Sequence, residues 1–73
     1  MAHEINNPLA GILQNVQVLR NRLQPGLPAN LRAADQVGVP MDKILAYAEA
    51  RGLFAMMDSV MESGQRAAKV VEN

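Results

Sequence analysis

The segment that decides the fold is INNPLAGILQNVQVLRNRL, which runs from Ile5 to Leu23. Intervals of 4, 3, 4, 3 and 4 positions separate its apolar residues Ile5, Leu9, Ile12, Val16, Leu19 and Leu23. This is the a/d pattern of a helix that packs in a coiled-coil-like bundle, and Leu13 widens the stripe. The pattern predicts a first long helix over about residues 3–23. The segment 24–28, which contains two prolines and a glycine, stops it.

The C-terminal segment repeats this pattern. The same intervals separate Leu53, Met57, Val60, Gly64, Ala67 and Val71, which predicts a second long helix over about residues 53–73. Two helices of matched length predict an antiparallel hairpin. In such a hairpin the small residues Gly64, Ala67 and Ala68 lie near the N-terminal end of the first helix.

Residues 25–52 connect the two long helices. A short helix is predicted to begin at residue 29 or 30 and end at residue 36, burying Leu31 and Ala34 and closed by Gly38. Neither this helix nor the next one holds enough apolar surface to fold alone, so residues 1–73 are predicted to form a single domain.

A further short helix is predicted over residues 42–51, with Asp42 as its N-cap. Its apolar face is formed by Met41, Ile44, Leu45 and Ala48. It is predicted to end near Gly52.

Composition limits how this chain is stabilised. The 73 residues contain no cysteine and one histidine, so disulfides and thiolate metal sites are excluded and a zinc cluster is not expected. Only Tyr47 and Phe54 are aromatic, and a core of Leu, Ile, Val, Met and Ala favours helices. A domain this small usually needs a partner chain. The predicted fold is all-α: a long antiparallel helical hairpin with short helices in the connector, forming a homodimeric four-helix bundle.

Three groups of side chains are assigned from the pattern. The methionines Met41, Met56, Met57 and Met61 are predicted to fill the core. The charged residues Arg20, Arg22, Glu49, Arg51, Glu62 and Arg66 are predicted to lie on solvated faces. Positions outside the a/d stripe of the first helix are predicted to select a protein partner: Ala10, Gln14, Gln17 and Asn21.

Charge and hydropathy exclude two classes of partner. The seven basic and seven acidic residues cancel, which argues against binding to nucleic acid or to anionic lipid. No apolar run approaches the roughly 20 residues of a membrane span, and no signal peptide is visible. A cytoplasmic location without membrane contact is therefore expected for this segment.

The N-terminal residues carry the candidate chemistry. His3, Glu4 and Asn7 occupy heptad positions b, c and f, outside the apolar stripe, so the only histidine is predicted to be accessible to a reactant. A carboxylate at Glu4 can fix the imidazole tautomer and leave Nε2 as the nucleophile, and the Asn7 amide can orient a water or a phosphoryl oxygen. The alternative is that His3 is an ordinary surface residue and Asn7 caps a helix that begins at Pro8.

Two runs of this sequence resemble one protein family. His3-Glu4-Ile5-Asn6-Asn7-Pro8-Leu9 closely resembles the H-box of bacterial sensor histidine kinases, in their dimerisation and histidine-phosphotransfer (HisKA-type) domain. The segment SGQRAAKVV, residues 63–71, is similar to the return helix of that domain. Together with the helices that carry them, the two runs cover roughly half of the chain.

The resemblance implies a role for each matching position. His3 matches the phosphoacceptor, which takes the γ-phosphoryl group of ATP and passes it to an aspartate on a response regulator. Glu4 matches the general base, and Asn7 matches the residue that positions the nucleotide phosphate or a hydrolytic water. Pro8 matches the proline that bends the first helix. The family's fold is a homodimeric four-helix bundle.

The sequence departs from the family in two respects. The connector is much longer than the usual turn, and no glycine-rich nucleotide box is present. We therefore expect an excised module without sensor or ATP-binding domain, a fragment of a protein-histidine kinase that is inactive alone. It is expected to hold no cofactor or metal, with ATP and Mg bound by a separate catalytic domain. Its implied partners are a second copy, that catalytic domain and the receiver domain of a response regulator.

Other functional classes fit less well. The metallopeptidase motif HExxH fails because Asn7 replaces its second histidine. A helix-turn-helix DNA reader lacks its basic recognition helix. A stand-alone phosphotransfer domain usually carries a lysine and a glycine near its histidine, a pattern that differs from this one. A purely structural helical dimerisation module without phosphotransfer remains the alternative.

Overall fold

The computed structural model describes the backbone of residues 2–72 and the side chains of residues 8–70. It contains four helices: α1 (Ala2–Asn21), α2 (Pro28–Val37), α3 (Met41–Ala50) and α4 (Leu53–Glu72). Residues 2–72 include no strand, so the all-α prediction is confirmed. The described chain measures 47 × 22 × 16 Å.

Helices α1 and α4 pack against each other along their lengths. Near the end of α1, Arg20 bonds to Asp58, and at its middle Leu13 contacts Gly64. As the residue number increases along α1, the residue number of the contacting position on α4 therefore decreases. The two long helices form an antiparallel hairpin, and the small residues of α4 lie beside the N-terminal half of α1.

The first helix ends two residues earlier than the predicted limit at Leu23. The amide of Arg22 still bonds to the carbonyl of Val18, at 2.9 Å, but the next two amides bond three residues back instead of four. These are the bonds from Leu23 to Arg20 and from Gln24 to Asn21, both 3.1 Å. The last turn therefore tightens before Pro25 turns the chain away.

Helix α2 begins with Pro28 in its first turn and ends at Gly38, which has a left-handed φ of 75°. The amide of Val39 bonds back to the carbonyl of Ala34 at 3.1 Å, as in a Schellman C-cap. Ala34 is buried as predicted, but the predicted burial of Leu31 is wrong, since this side chain is 47% exposed. A ten-residue helix that packs on α3 through alanine leaves its larger apolar side chain uncovered.

Helix α3 begins one residue before Asp42, so the prediction of Asp42 as its N-cap is wrong. Pro40 holds the N-cap position, and its carbonyl accepts bonds from the amides of Lys43 and Ile44 at 3.0 and 3.3 Å. Asp42 lies in the first turn, where a carboxylate suits the helix dipole. Met41 and Ala48 are buried.

Asn30 joins the connector to the end of the first long helix. Its Nδ2 donates to the carbonyl of Asn21 at 2.8 Å and to that of Gln24 at 2.9 Å. Neither carbonyl accepts a helical bond from the amide four residues ahead, because α1 has ended; the carbonyl of Asn21 is shared with the amide of Gln24. The start of α2 is thereby fixed against the C-terminus of α1.

The core of the single chain is small. Among residues 8–70 the buried apolar side chains are Val16, Ala34, Met41, Ala48 and Met57. Met61 is half-buried, but Met56 is 64% exposed, so its predicted place in the core is wrong for the isolated chain. No described helix is long and apolar enough to cross a membrane.

Candidate functional site

The residues that resemble an H-box, 3–9, lie in the first two turns of α1. Because α1 begins at Ala2 and continues past Pro8, the alternative in which the helix starts at Pro8 is wrong. The side chains of His3, Glu4 and Asn7 lie outside the described residues, so their predicted roles stay predictions. What the structure provides is the helix that carries them and the surfaces directly below them.

Pro8 lies inside α1 and its side chain is exposed. A proline has no N–H to donate to the carbonyl four residues before it, which here belongs to Glu4. One backbone bond is therefore lost within the turn that follows the histidine. The bend predicted at Pro8 stays a prediction.

Below Pro8, α1 meets α4 through its a and e positions. Leu9, Leu13 and Leu23 are half-buried, Val16 is buried, and the guanidinium of Arg20 reaches α4. Leu13 packs directly against the backbone of Gly64. A Cβ atom added to Gly64 would lie 2.8 Å from Cδ2 and 3.3 Å from Cγ of Leu13. We call this contact the Leu13–Gly64 notch.

The two d positions of α1 among residues 8–70 remain uncovered. Ile12 is 46% exposed and Leu19 is 56% exposed, although both belong to the predicted stripe. On α4, Met56 and Val60 are also exposed. Ile12 and Val60 line one groove with Leu9, Ser59, Ser63, Gly64 and Ala67, so both helices contribute to the same side of the hairpin. We call Ile12, Leu19, Met56 and Val60 the open face.

The connector leaves the open face free. On α3, Leu45 and Glu49 line a cavity together with Arg20, Leu23, Gln24, Pro25 and Phe54. None of these residues belongs to the open face. The extra helices therefore pack beside the end of the hairpin without covering its uncovered apolar side.

Arg20 makes polar contacts with α4 that the sequence pattern did not predict. It was predicted to be solvated, but its Nη2 lies 2.8 Å from Oδ1 of Asp58 and its guanidinium carbon lies 5.8 Å from the centroid of the Phe54 ring. Its Nη1 is buried without a hydrogen-bond partner among the described residues. The signal available in the sequence was its e position, which it shares with Leu13.

The predicted partner-selecting positions lie on the outer surface of α1. Ala10, Gln14, Gln17 and Asn21 are all exposed. Nε2 of Gln17 donates to Oδ1 of Asn21 at 3.3 Å, which orders part of this surface. Within residues 8–70, no three acidic or histidine side chains form a group that could hold a metal ion.

Comparison of the chain with protein-family models, with curated proteins and with solved structures finds no match in any of the three. The functional argument therefore depends on the H-box residues, on their place in α1 and on the open face.

Proposed function

We propose that this chain is the phosphoacceptor and dimerisation domain of a two-component sensor histidine kinase, with His3 as the phosphoacceptor. One observation carries the proposal: the run from His3 to Leu9 lies within a single continuous helix that begins at Ala2 and pairs with a second long helix. A histidine at heptad position b of such a helix is outside the apolar stripe, where a second protein domain can approach it.

The reaction proposed for His3 is phosphoryl transfer from ATP. The lone pair of Nε2 attacks the γ-phosphorus, and an N–P bond forms as the bond from phosphorus to the β,γ-bridging oxygen breaks. ADP leaves with that electron pair. In the second step, a carboxylate oxygen of the receiver aspartate attacks the phosphorus and the N–P bond breaks. Its electron pair returns to Nε2 while Nδ1 takes a proton back from Glu4, so that neutral imidazole leaves.

Glu4 and Asn7 have supporting roles in this proposal. The Glu4 carboxylate accepts the Nδ1 proton as positive charge develops on the imidazole, so Glu4 acts as the general base. Asn7, four residues after His3, is on the same helical face. Its amide positions a phosphoryl oxygen during transfer, or a water that attacks the phosphorylated receiver.

The chain is the substrate half of this enzyme. ATP and Mg are bound by a separate catalytic domain, and the phosphoryl group leaves to a receiver domain, so both are proposed partners. Use of ATP agrees with a cytoplasmic site of reaction. We propose no cofactor for the chain itself.

The open face supports self-association. Four large apolar side chains on one side of a two-helix hairpin are the surface that a second hairpin covers in a four-helix bundle. The a and e positions of α1 are already used within the chain, which leaves the d positions for the partner. In a homodimer built on this face, the a positions of α1 pack within one chain and the d positions pack against the second chain.

The open face also favours a second candidate function, a purely structural dimerisation module. Apolar association through Ile12, Leu19, Met56 and Val60 needs no histidine chemistry. The two functions differ in one respect: only the phosphoacceptor requires His3. Replacement of His3 by Gln leaves a structural module intact and abolishes a phosphoacceptor.

The test is incubation of the chain with Mg-ATP labelled in its γ-phosphoryl group and with histidine-kinase catalytic domains of the same organism. We expect an acid-labile, base-stable label on the wild-type chain and none on His3→Gln. Label that survives His3→Gln, or a wild-type chain that takes no label, overturns the proposal. Asn7→Ala tests the role of the amide: labelling of His3 is retained, but accelerated dephosphorylation of the receiver is lost. Unchanged dephosphorylation removes that role.

A further inference from the structure

The Leu13–Gly64 notch is the closest approach between the two long helices at any described glycine. Gly64 is buried in the middle of α4, where a glycine lowers helix stability relative to alanine. At the other described helical glycine, Gly11, an added Cβ would meet nothing within 4 Å. The space that a side chain at Gly64 would fill is therefore occupied by Leu13.

An alanine at position 64 does not fit this arrangement. Carbon atoms pack at about 3.5–4.0 Å, so a Cβ 2.8 Å from Cδ2 requires a shift of roughly 1 Å. Rotation of Leu13 about χ2 moves Cδ2 but leaves Cγ in place, at 3.3 Å. Because few χ1 rotamers are open to a leucine in a helix, part of the overlap is relieved by separation of α1 from α4.

The separation is directed toward the N-terminal end of α1. On the connector side of the notch, Arg20 bonds to Asp58 and stacks on Phe54, and α3 packs nearby. On the other side, the half-buried residues that α4 contributes between Gly64 and Val70 are Ala67 and Ala68, both small. Among the described residues the connector end is therefore better anchored, and we expect Gly64→Ala to displace the opposite part of α1 more, as a lever.

His3 lies on the N-terminal side of the notch. It precedes Leu13 by ten residues, which is about 15 Å along a helix, whereas Arg20 lies about 10 Å on the other side of Leu13. With Cδ2 rotated away, the Cγ contact requires a helix separation of roughly 0.5 Å at the notch, which becomes roughly 1 Å at the histidine turn.

We propose that Gly64 is a positioning residue for phosphoryl transfer: by admitting Leu13 it sets the spacing of α1 and α4, and through α1 the position of His3. The inference rests on the proposed function of His3. Gly64 touches no reactant, and it acts by placing the nucleophile relative to the catalytic domain. A misplacement of about 1 Å in such a step can lower a rate by about 100-fold.

The test compares two phosphoryl donors. With Mg-ATP and the catalytic domain, we expect Gly64→Ala to lower the maximum rate of His3 labelling by about 10- to 100-fold, with the half-saturating concentration of that domain unchanged. Phosphoramidate phosphorylates imidazole without an enzyme, so its rate at His3 stays at the wild-type value. A Gly64→Ala chain labelled at the wild-type rate by the catalytic domain overturns the inference, as does an equal loss with both donors.

Two further variants separate positioning from general damage. Gly11→Ala is the matched control, since its Cβ enters open space, and it should be labelled at the wild-type rate. Leu13→Ala combined with Gly64→Ala makes room for the new methyl group and should recover labelling to the rate of Leu13→Ala alone. Failure of that rescue contradicts the inference.

Distances between spin labels provide a readout that is independent of chemistry. The chain has no cysteine, so exposed positions can be labelled in pairs after substitution by cysteine. Gly64→Ala should lengthen the Ala10–Lys69 distance by about 0.5–1 Å and leave the Arg22–Ala55 distance unchanged. Equal change at both ends contradicts the lever. A wild-type chain that takes no label from ATP overturns the proposed function and this inference with it, whereas normal wild-type labelling with an unaffected Gly64→Ala overturns the inference alone.

Discussion

Arg20 and Asp58 join the two long helices at the connector end, with Nη2 of the arginine 2.8 Å from Oδ1 of the aspartate. The same guanidinium lies 5.8 Å from the centre of the Phe54 ring, so one side chain of α1 makes two different contacts with α4. Its side chain is 31% exposed and that of Asp58 is 65% exposed. Solvent therefore weakens the ion pair, and stacking and stem packing supply much of the stabilisation.

Removal of Arg20 should cost more than removal of Asp58. We expect Arg20→Ala to lower the free energy of unfolding by about 1–2 kcal/mol, because the ion pair, the stacking and the packing of the stem are all lost. Asp58→Ala should cost about 0.5–1 kcal/mol. Urea unfolding followed by helical circular dichroism at one protein concentration measures both.

The control for this pair is Glu62 and Arg66, which form an exposed contact one helical turn apart on α4. Arg66→Ala should cost only about 0.3–0.5 kcal/mol. An Arg20→Ala effect no larger than this would show that the contacts of Arg20 with α4 contribute little to stability.

Charge on the open face should prevent self-association. Sedimentation velocity at tens of micromolar should show a dimer for the wild-type chain. Leu19→Glu places a carboxylate in the proposed interface twice, once from each copy, and we expect the dissociation constant to rise by at least about 100-fold. The matched control is Tyr47→Glu on α3, which is 64% exposed against 56% for Leu19 but lies outside the open face. A folded wild-type chain that sediments only as a monomer contradicts the dimer.

Two adjacent methionines should separate folding from association. Met57 is buried within the hairpin, so Met57→Ala should lower stability by about 2–3 kcal/mol at every protein concentration. Met56 is exposed on the open face, so Met56→Ala should weaken only the dimer and should have its effect only in the concentration range where dimers form. Thermal unfolding at several concentrations distinguishes the two, and equal losses at high dilution would contradict the assignment of Met56.

A side chain at Gly38 should destabilise the turn between α2 and α3. With φ at 75°, Gly38→Ala places a Cβ in the left-handed region and should cost about 1 kcal/mol. Gly26→Ala is the control, because Gly26 lacks a positive φ and an added Cβ meets nothing within 4 Å. Chemical denaturation of both variants provides the measurement. Equal effects would mean that the backbone of Gly38 is not the cause.

The two long helices were predictable because many apolar positions support each of them. Six apolar positions at alternating intervals define α1, and no other regular structure places them on one face. The short elements lack this redundancy. In α3, Pro40 fixes its own φ near −61° and presents its carbonyl to the following amides, which moves the helix start ahead of Asp42.

Burial was harder to predict than helix position. An a/d assignment treats Leu19 and Val16 alike, but the single chain covers only the a and e positions, so Leu19 is left exposed. Arg20 was misassigned because a charged residue is usually solvated, whereas a long side chain at an e position can stack on an aromatic ring of the facing helix.

The candidate site also has features that the sequence reveals and features that only the structure reveals. The chemical types of His3, Glu4 and Asn7 and their spacing are visible in the sequence. The notch that sets the helix spacing below them is not, since it depends on which turn of α4 faces Leu13. Only a register between helices reveals that contact.

The two hydrogen bonds from Asn30 to the end of α1 have a kinetic consequence. The α1–α4 contacts join residues far apart in sequence, and closing a flexible loop of that length opposes folding. With α2 and α3 formed, roughly a third of the connector remains outside helices, which lowers the closure entropy by about 1 kcal/mol. Asn30 anchors that preformed unit at the point where α1 ends. The helical connector therefore acts as a partly rigid link between α1 and α4. We expect the hairpin to close at a rate typical of a much shorter loop.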